Sequence, residues 1–291
     1  MTTRRCLTPF NLGLMVIVGA FLTLSGFGLP AAPAAEAVKL AGSPQPLIQA
    51  HSHNDYEQAR PLQDALALGF CNVEADIYLV EGKLLVAHDR QDVRPDRTLE
   101  GLYLDPLRAR VRRNGGRVYP EKAPFTLLID IKEDAEKVYP VLDRLLRRYR
   151  GMLTSFTADS TRTGAVTVVL SGDRPIRLVE QQKRRWCGID GRLKDLETNP
   201  SPHLFPWVSD NWVSHFTWRG EGEISTADWV KLQAVVAKAH AQNRRLRFWA
   251  TGNDPRGWKV LQRAGVDLLG ADDLAGLHRW LTDSVNHGTN R

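Results

Sequence analysis

From about Leu47 onward the chain alternates short runs rich in apolar and β-branched residues with longer stretches whose apolar positions recur at helical spacing. The runs are PLIQAH, CNVEADIYL, FTLLIDIK, AVTVVLSG, RWCGIDG, PWVSDNW, RLRFWAT and VDLLGADD. Between them the periodicity predicts helices over about 60–68, 104–114, 134–149, 176–183, 226–241, 256–264 and 273–283. Strand-length apolar runs alternating with amphipathic helices imply βα units on a parallel sheet. Eight such runs fit a distorted (β/α)8 TIM barrel better than an open sheet. The segment IYLVEGKLLVAH predicts a small hairpin turning at Glu81–Gly82. Arg90–Tyr103 and the stretch Asp195–Pro206, with its three prolines, read as loops.

The first residues follow a different pattern. A basic start containing Arg4 and Arg5 leads into an almost unbroken apolar run, Leu12–Leu29, and then into the small-residue segment PAAPAAEA. That is the layout of a cleaved secretory signal peptide, so residues 1–37 are expected to be removed and the mature protein to be secreted or periplasmic. Glycines, a serine and a threonine dilute the run, which makes a retained membrane anchor the weaker reading. No repeat or linker divides residues 38–291, which are expected to form one barrel domain.

Charge and cysteine content add little more. Losing two arginines and one glutamate with the signal lowers the formal charge from +6 to +5, a surplus that suits an anionic substrate or a peripheral contact with a membrane. Basic segments such as RLLRRYR and QNRRLR fall in helix and helix-end contexts and read as solvated faces, so nucleic acid is not an expected partner. The pattern sets no oligomeric state. Cys71 and Cys187, on runs placed far apart in the barrel, are expected to be buried free thiols.

Chemistry in a barrel of this type comes from the C-terminal ends of its strands. That filter selects a compact polar set. Strand 1 ends at His51, followed by His53, Asn54 and Asp55; strand 2 carries Glu74 and Asp76 on one face; His88 and Asp89 close the hairpin; strand 3 offers Asp130 and Lys132. Buried carboxylates on one face repel each other unless a cation lies between them. Glu74, Asp76 and Asp130, all oxygen donors, suit a hard divalent cation, magnesium or calcium, with manganese as an alternative. Histidines beside such an ion suit general acid and base catalysis, worth roughly 10²–10⁴-fold each. Lys132 either neutralises a phosphate oxygen or pairs with a carboxylate. Trp249 falls near a strand end, as a wall for a bound headgroup or as core. Asp190, Ser209, Asp210 and Asp272 also fall near strand ends, and the aromatics Phe205, Trp207, Trp212, Phe216 and Trp218 read as packing beneath a loop.

The ordered segments AHSHNDY, GFCNVEADIYLVEGKLLVAHD and LLIDIK resemble the superfamily of phosphatidylinositol-specific phospholipase C and glycerophosphodiester phosphodiesterase, and most closely its altered-inheritance-of-mitochondria-protein-6-like branch. The resemblance implies a distorted TIM barrel that cleaves a small-molecule or lipid phosphodiester with two histidines and a divalent cation. It implies that Glu74, Asp76 and Asp130 hold the metal and that His88 is one catalytic histidine. His51 matches the first residue of the diesterase HRG pattern, whereas His53–Asn54 matches the SHN of eukaryotic phospholipases, in which the asparagine is a metal ligand. His51, nearest the strand end, is favoured. The chain departs from the diesterases in lacking HRG and the ENT that follows it, and in an aspartate at position 130. Two other readings stay open: a zinc hydrolase of the amidohydrolase type, which needs further ligands such as His203 or His215, and a barrel that binds without catalysing.

Overall fold

The computed structural model describes residues 44–251 and 254–288, so the predicted signal peptide lies outside the described residues. Eight parallel strands form the staves of a nearly closed barrel. In chain order they are β1 (Leu47–Ser52), β2 (Phe70–Val80), β4 (Thr126–Ile131), β7 (Thr167–Gly172), β8 (Gly188–Gly191), β9 (Trp207–Asn211), β10 (Arg245–Trp249) and β11 (Leu269–Ala271). From β1 to β10 each stave is hydrogen-bonded to the next, and β11 pairs with β1. A short antiparallel strand, β3 (Lys83–Val86), pairs with the far end of β2. Glu81 and Gly82 connect them with positive φ, the backbone a two-residue hairpin requires. A further ribbon, β5 (Ser155–Phe156) with β6 (Thr161–Arg162), stands apart from the barrel.

Helices cover the outside: α1 (Gln63–Ala67), α2 (Asp105–Arg113), α3 (Ala135–Arg148), α4 (Ile176–Glu180), α5 (Asp195–Thr198), α6 (Trp212–His215), α7 (Thr226–Ala241), α8 (Pro255–Ala264) and α9 (Leu274–Gly288). Local chemistry marks their ends. Asp254 caps α8 by accepting from the backbone amides of Arg256 and Gly257, Pro255 opens the helix, and Gly265 ends it at φ 88°. Ser225 caps α7 in the same way, accepting from the amide of Asp228. The stretch Asp195–Pro206 is less irregular than its prolines suggest. It opens with the single-turn α5, and the buried Arg244 ties it down by donating to the carbonyl of Pro200.

The distortion has two sources. The register between β1 and β2 slips between Leu47 and His51. At the other seam, β10 meets the lead-in to β11 through a single parallel bridge, Arg247 to Leu268. The barrel therefore closes with a loose joint between β10 and β11.

Strand alternation sorts the two faces. On β2, Val73, Ala75 and Ile77 are fully buried against the outer helices. Each buried valine or isoleucine of this kind contributes roughly 1.5–3 kcal/mol. The alternate residues Asn72, Glu74 and Asp76 face inward. A small apolar cluster of Leu128, Val169, Trp207 and Leu268 fills part of the interior. Asp76 stands level with Asp130 of β4, which in turn stands level with Ser171 of β7, so the acids reach the C-terminal mouth together. Cys71 and Cys187 are both buried and unpaired. The aromatics Phe205, Trp207, Trp212, Phe216 and Trp218 are buried core, with the Trp212 and Phe216 rings stacked at 4.1 Å. Among the described residues no helix is long and apolar enough to cross a membrane.

Candidate active site

The mouth is built around three acids. Glu74, Asp76 and Asp130 each place one oxygen within 4.8 Å of the others. Two features show that the space between them is shaped. One is an orphan: Asp76 Oδ1 is buried without a hydrogen-bond partner. The other is Gly172, whose φ is +70° and where a Cβ would fall 2.4 Å from Asp130 Oδ1. Any side chain there would collide with the Asp130 carboxylate. Burial first, and then the charges of Asp76 and Glu74, push the Asp130 carboxyl up to about 7. Burial and the Glu74 charge likewise raise Asp76. Crowded, desolvated, all-oxygen acids with an unfilled lone pair fit a hard divalent cation.

Cations of the chain itself meet part of this charge. Lys132 Nζ donates to Asp76 Oδ2 at 2.8 Å and lies 3.7 Å from Asp130 Oδ1. It therefore pairs with carboxylates, one of the two roles its sequence position allowed. Arg247 of β10, buried to 3% exposure, donates through Nη2 to Glu74 Oε2 at 2.7 Å. Burial alone would raise the Glu74 pKa, but Arg247, with help from His51, holds the carboxyl well below the usual range. Sequence reasoning missed Arg247. Its signal was present in RLRFW, where alternation puts Arg245, Arg247 and Trp249 on the inner face.

The three candidate histidines occupy different environments. His51 is fully buried, with Nε2 2.9 Å from Glu74 Oε2 and Nδ1 without a partner. Burial and the nearby Arg247 lower its pKa to about 3, so the ring is neutral and sealed beneath the acids. His53 is reachable: its side chain is 35% exposed and Nδ1 sits 2.7 Å from Asp272 Oδ1, at the end of the neighbouring β11. Burial works to lower the His53 pKa, but the Asp272 hydrogen bond and the Glu74 charge outweigh it and the net shift is upward. His88 is half exposed, and its Nδ1 lies 3.1 Å from the Tyr56 hydroxyl and 3.3 Å from Asp76 Oδ2. Of the three rings His51 is sealed from solvent, while His53 and His88 are the ones exposed at the mouth.

The HSHNDY motif divides its labour. Asp55 is structural: buried, it accepts from Ser52 Oγ, the Tyr103 hydroxyl and the amide of Leu62, which clamps the loop. Tyr56 donates to Asp76 Oδ2 at 2.7 Å, a link that was not anticipated. Asn54 adopts the left-handed conformation, φ 45°, at the start of a short 3₁₀ turn. Trp249 is half-buried at the rim and lines a cavity of about 130 Å³ with His53, Arg247 and Asp272. The Arg192 guanidinium sits 5.0 Å above its ring. His203 bonds to Thr161 and His215 to Asp210; among the described residues neither joins the acids, so the set a zinc hydrolase needs is not assembled.

Residues 43–187 match the AIM6-like phosphodiesterase domain. The AIM6-like segment runs from β1 to the edge of β8 and holds the acids, Lys132 and all three candidate histidines, while Arg247, Trp249 and Asp272 lie beyond it. Over most of its length the chain is also similar to curated relatives. It is 28% identical over 262 residues to the altered inheritance of mitochondria protein 6 homolog of Arthroderma benhamiae, covering 78% of this chain and 82% of the relative. It is 29% identical over 272 residues to altered inheritance of mitochondria protein 6 of Eremothecium gossypii, covering 80% of this chain and 69% of the relative. Among solved structures, a calcium-dependent phosphoinositol-specific phospholipase C from a Pseudomonas species shares the fold, with a TM-score of 0.52 at 14% identity over 78% of this chain and 89% of that one.

Proposed function

We propose that the protein is an exported, metal-dependent phosphoric diester hydrolase that uses two histidines as general base and general acid. The observation that carries this reading is the meeting of Glu74, Asp76 and Asp130 at one point of the mouth, with a buried carboxylate oxygen left unsatisfied. The three acids would hold the ion, magnesium or calcium, with Asn54 at the rim as a further oxygen donor. Once bound, such an ion supplies Lewis-acid stabilisation of the negative charge that builds on a phosphoryl oxygen.

The chain's own groups do the rest. Asp272 engages His53 at Nδ1, which leaves Nε2 to take the proton from the nucleophile, either water or a neighbouring hydroxyl of the substrate. His88, whose Nδ1 faces Tyr56 and Asp76, returns a proton to the departing alkoxide. His51 and Arg247 fix the Glu74 carboxylate from beneath by sharing its Oε2. Trp249 supplies a flat wall for the headgroup of a small-molecule or lipid diester. The basic, then apolar, then small-residue start of the chain supports export.

The test is a panel of phosphodiesters assayed with and without chelator, followed by phosphorus NMR of the product. Turnover that depends on metal and disappears in His53→Ala supports the reading, and a cyclic ester among the products identifies the substrate hydroxyl as nucleophile. Turnover that survives chelation, or no turnover of any diester by the metal-loaded protein, contradicts it.

A further inference from the structure

A wide concavity lies at the opposite end of the barrel from the acids. It encloses about 650 Å³ and is lined where the chain enters β4 and β7, by Pro124 and Ala165, and by the turn after α3, at Gly151 and Leu153. This places it at the N-terminal base of the barrel, where the catalytic mouth has no reach. Its floor is set by Gly164, where a Cβ would fall 2.4 Å from the backbone carbon of Leu153. Only a glycine lets the two backbones press together there.

The lining has one sign of charge. Arg117, Lys122, Arg150 and Arg162 face the cleft, and no aspartate or glutamate lines it. All four are exposed, and among the described residues none is within salt-bridge distance of a carboxylate. Arg117 and Arg150 each donate only to a nearby backbone carbonyl, at 3.3 and 3.2 Å. The contrast with other surface cations is direct: Arg147 and Arg148, three and two positions before Arg150, both have carboxylate partners, in Asp143 and Glu100. Like charges gathered in a concavity raise the local concentration of anions, and guanidinium groups match the oxygens of phosphate in pairs. The volume falls within the range of small-ligand pockets, about 300–1,000 Å³.

The geometry points to a second ligand site, at the base of the barrel, for a multiply charged phosphate compound. A flat anionic surface would not use the depth of the cleft, whereas a compact group with two or more phosphates enters a cleft lined by four cations. Such a group is carried by a free organic polyphosphate or by a phosphorylated lipid headgroup, and both present the same oxygens.

Calorimetric titration of the full chain with tripolyphosphate, in chelator and without added metal, tests the site. The expected result is saturable binding of one equivalent. It weakens about tenfold or more in Arg150→Glu/Arg162→Glu and clearly in Arg150→Gln/Arg162→Gln, each with an unchanged circular dichroism spectrum. The same binding persists within about twofold in Asp76→Asn, because the base and the mouth are far apart in the fold. Sedimentation with phosphatidylcholine vesicles carrying a few per cent of a bisphosphorylated inositol lipid then separates the sources. Co-sedimentation that tripolyphosphate competes away assigns a lipid headgroup, and no co-sedimentation assigns a soluble phosphate. Absence of saturable binding, binding indifferent to both double substitutions, or binding lost in Asp76→Asn would overturn the proposal.

Discussion

A single carboxylate on one side of this barrel and a group of three on the other differ in how far their oxygens are served. On the β8–β9 side, Asp190 is completely buried and completely served: Oδ1 accepts from Ser209, and Oδ2 accepts from Ser171 and Arg192. On the β2–β4 side, three acids share two cations, an oxygen of Asp76 goes without a partner, and the Asp130 carboxyl is pushed up to about 7. A satisfied acid holds a fold together; an unsatisfied group of acids in a mouth marks where something charged is meant to bind. The comparison separates structure from chemistry without appeal to relatives.

The sharpest way to break the comparison is to exchange the two behaviours by mutation. His53→Ala or His88→Ala is expected to lower kcat for a diester substrate by about 10²–10⁴-fold with thermal stability nearly unchanged. His51→Ala should instead lower the melting temperature, because it leaves Glu74 with one partner fewer in a buried site. Equal kinetic losses at His51 and His53 with no stability change at either would reverse the assignment. Next in size is Gly172→Ala, in which a methyl must enter the space of Asp130 Oδ1 at a positive φ. We expect metal affinity to fall at least tenfold, read by calorimetry, along with a lower melting temperature. Asp190→Ala should cost about 1–3 kcal/mol in denaturant unfolding, since two hydroxyls and a guanidinium lose their acceptor, and should leave the affinity for metal unaltered.

The smallest effect concerns pH. Asp130 is raised in the folded state from 3.8 to about 7, so the folded chain holds that proton more tightly than the unfolded chain. The stability this contributes is present below the unfolded value and is lost as pH rises through about 7. Chelated protein should therefore lose melting temperature between about pH 4 and 7, and Asp130→Asn should flatten that part of the profile. Saturating metal should do the same, because the ion displaces the proton. A chelated protein that gains stability across this interval in step with Asp130 would contradict the crowding argument.

All eight staves could be read from the alternation of short apolar runs with helical patterns, because barrel strands are local signals. The acids were legible for the same reason: Glu74 and Asp76 sit two apart on a strand whose other face is apolar. What could not be read is what lies across the barrel. Arg247 is 173 residues from its partner Glu74, and Asp272 is 219 from His53. Nothing in linear spacing states that β10 and β11 fold back beside β1. The different depths of His51 and His53 were hidden for a related reason. Proximity to a strand end says nothing of depth, and His51 lies below the level at which solvent or substrate arrives. The 3₁₀ turn at Asp55–Glu57 was hidden too, since Asp55 looked like a reactive residue and works as a loop clamp.

The direct test of the central claim is a calcium or magnesium titration of the chelated protein, with Asp76→Asn and Asp190→Asn beside the wild type. The account predicts one ion per chain for the wild type, binding abolished or weakened at least a hundredfold in Asp76→Asn, and binding retained in Asp190→Asn. A wild type that takes up no ion, or an Asp76→Asn variant that binds as well as the wild type, would contradict it.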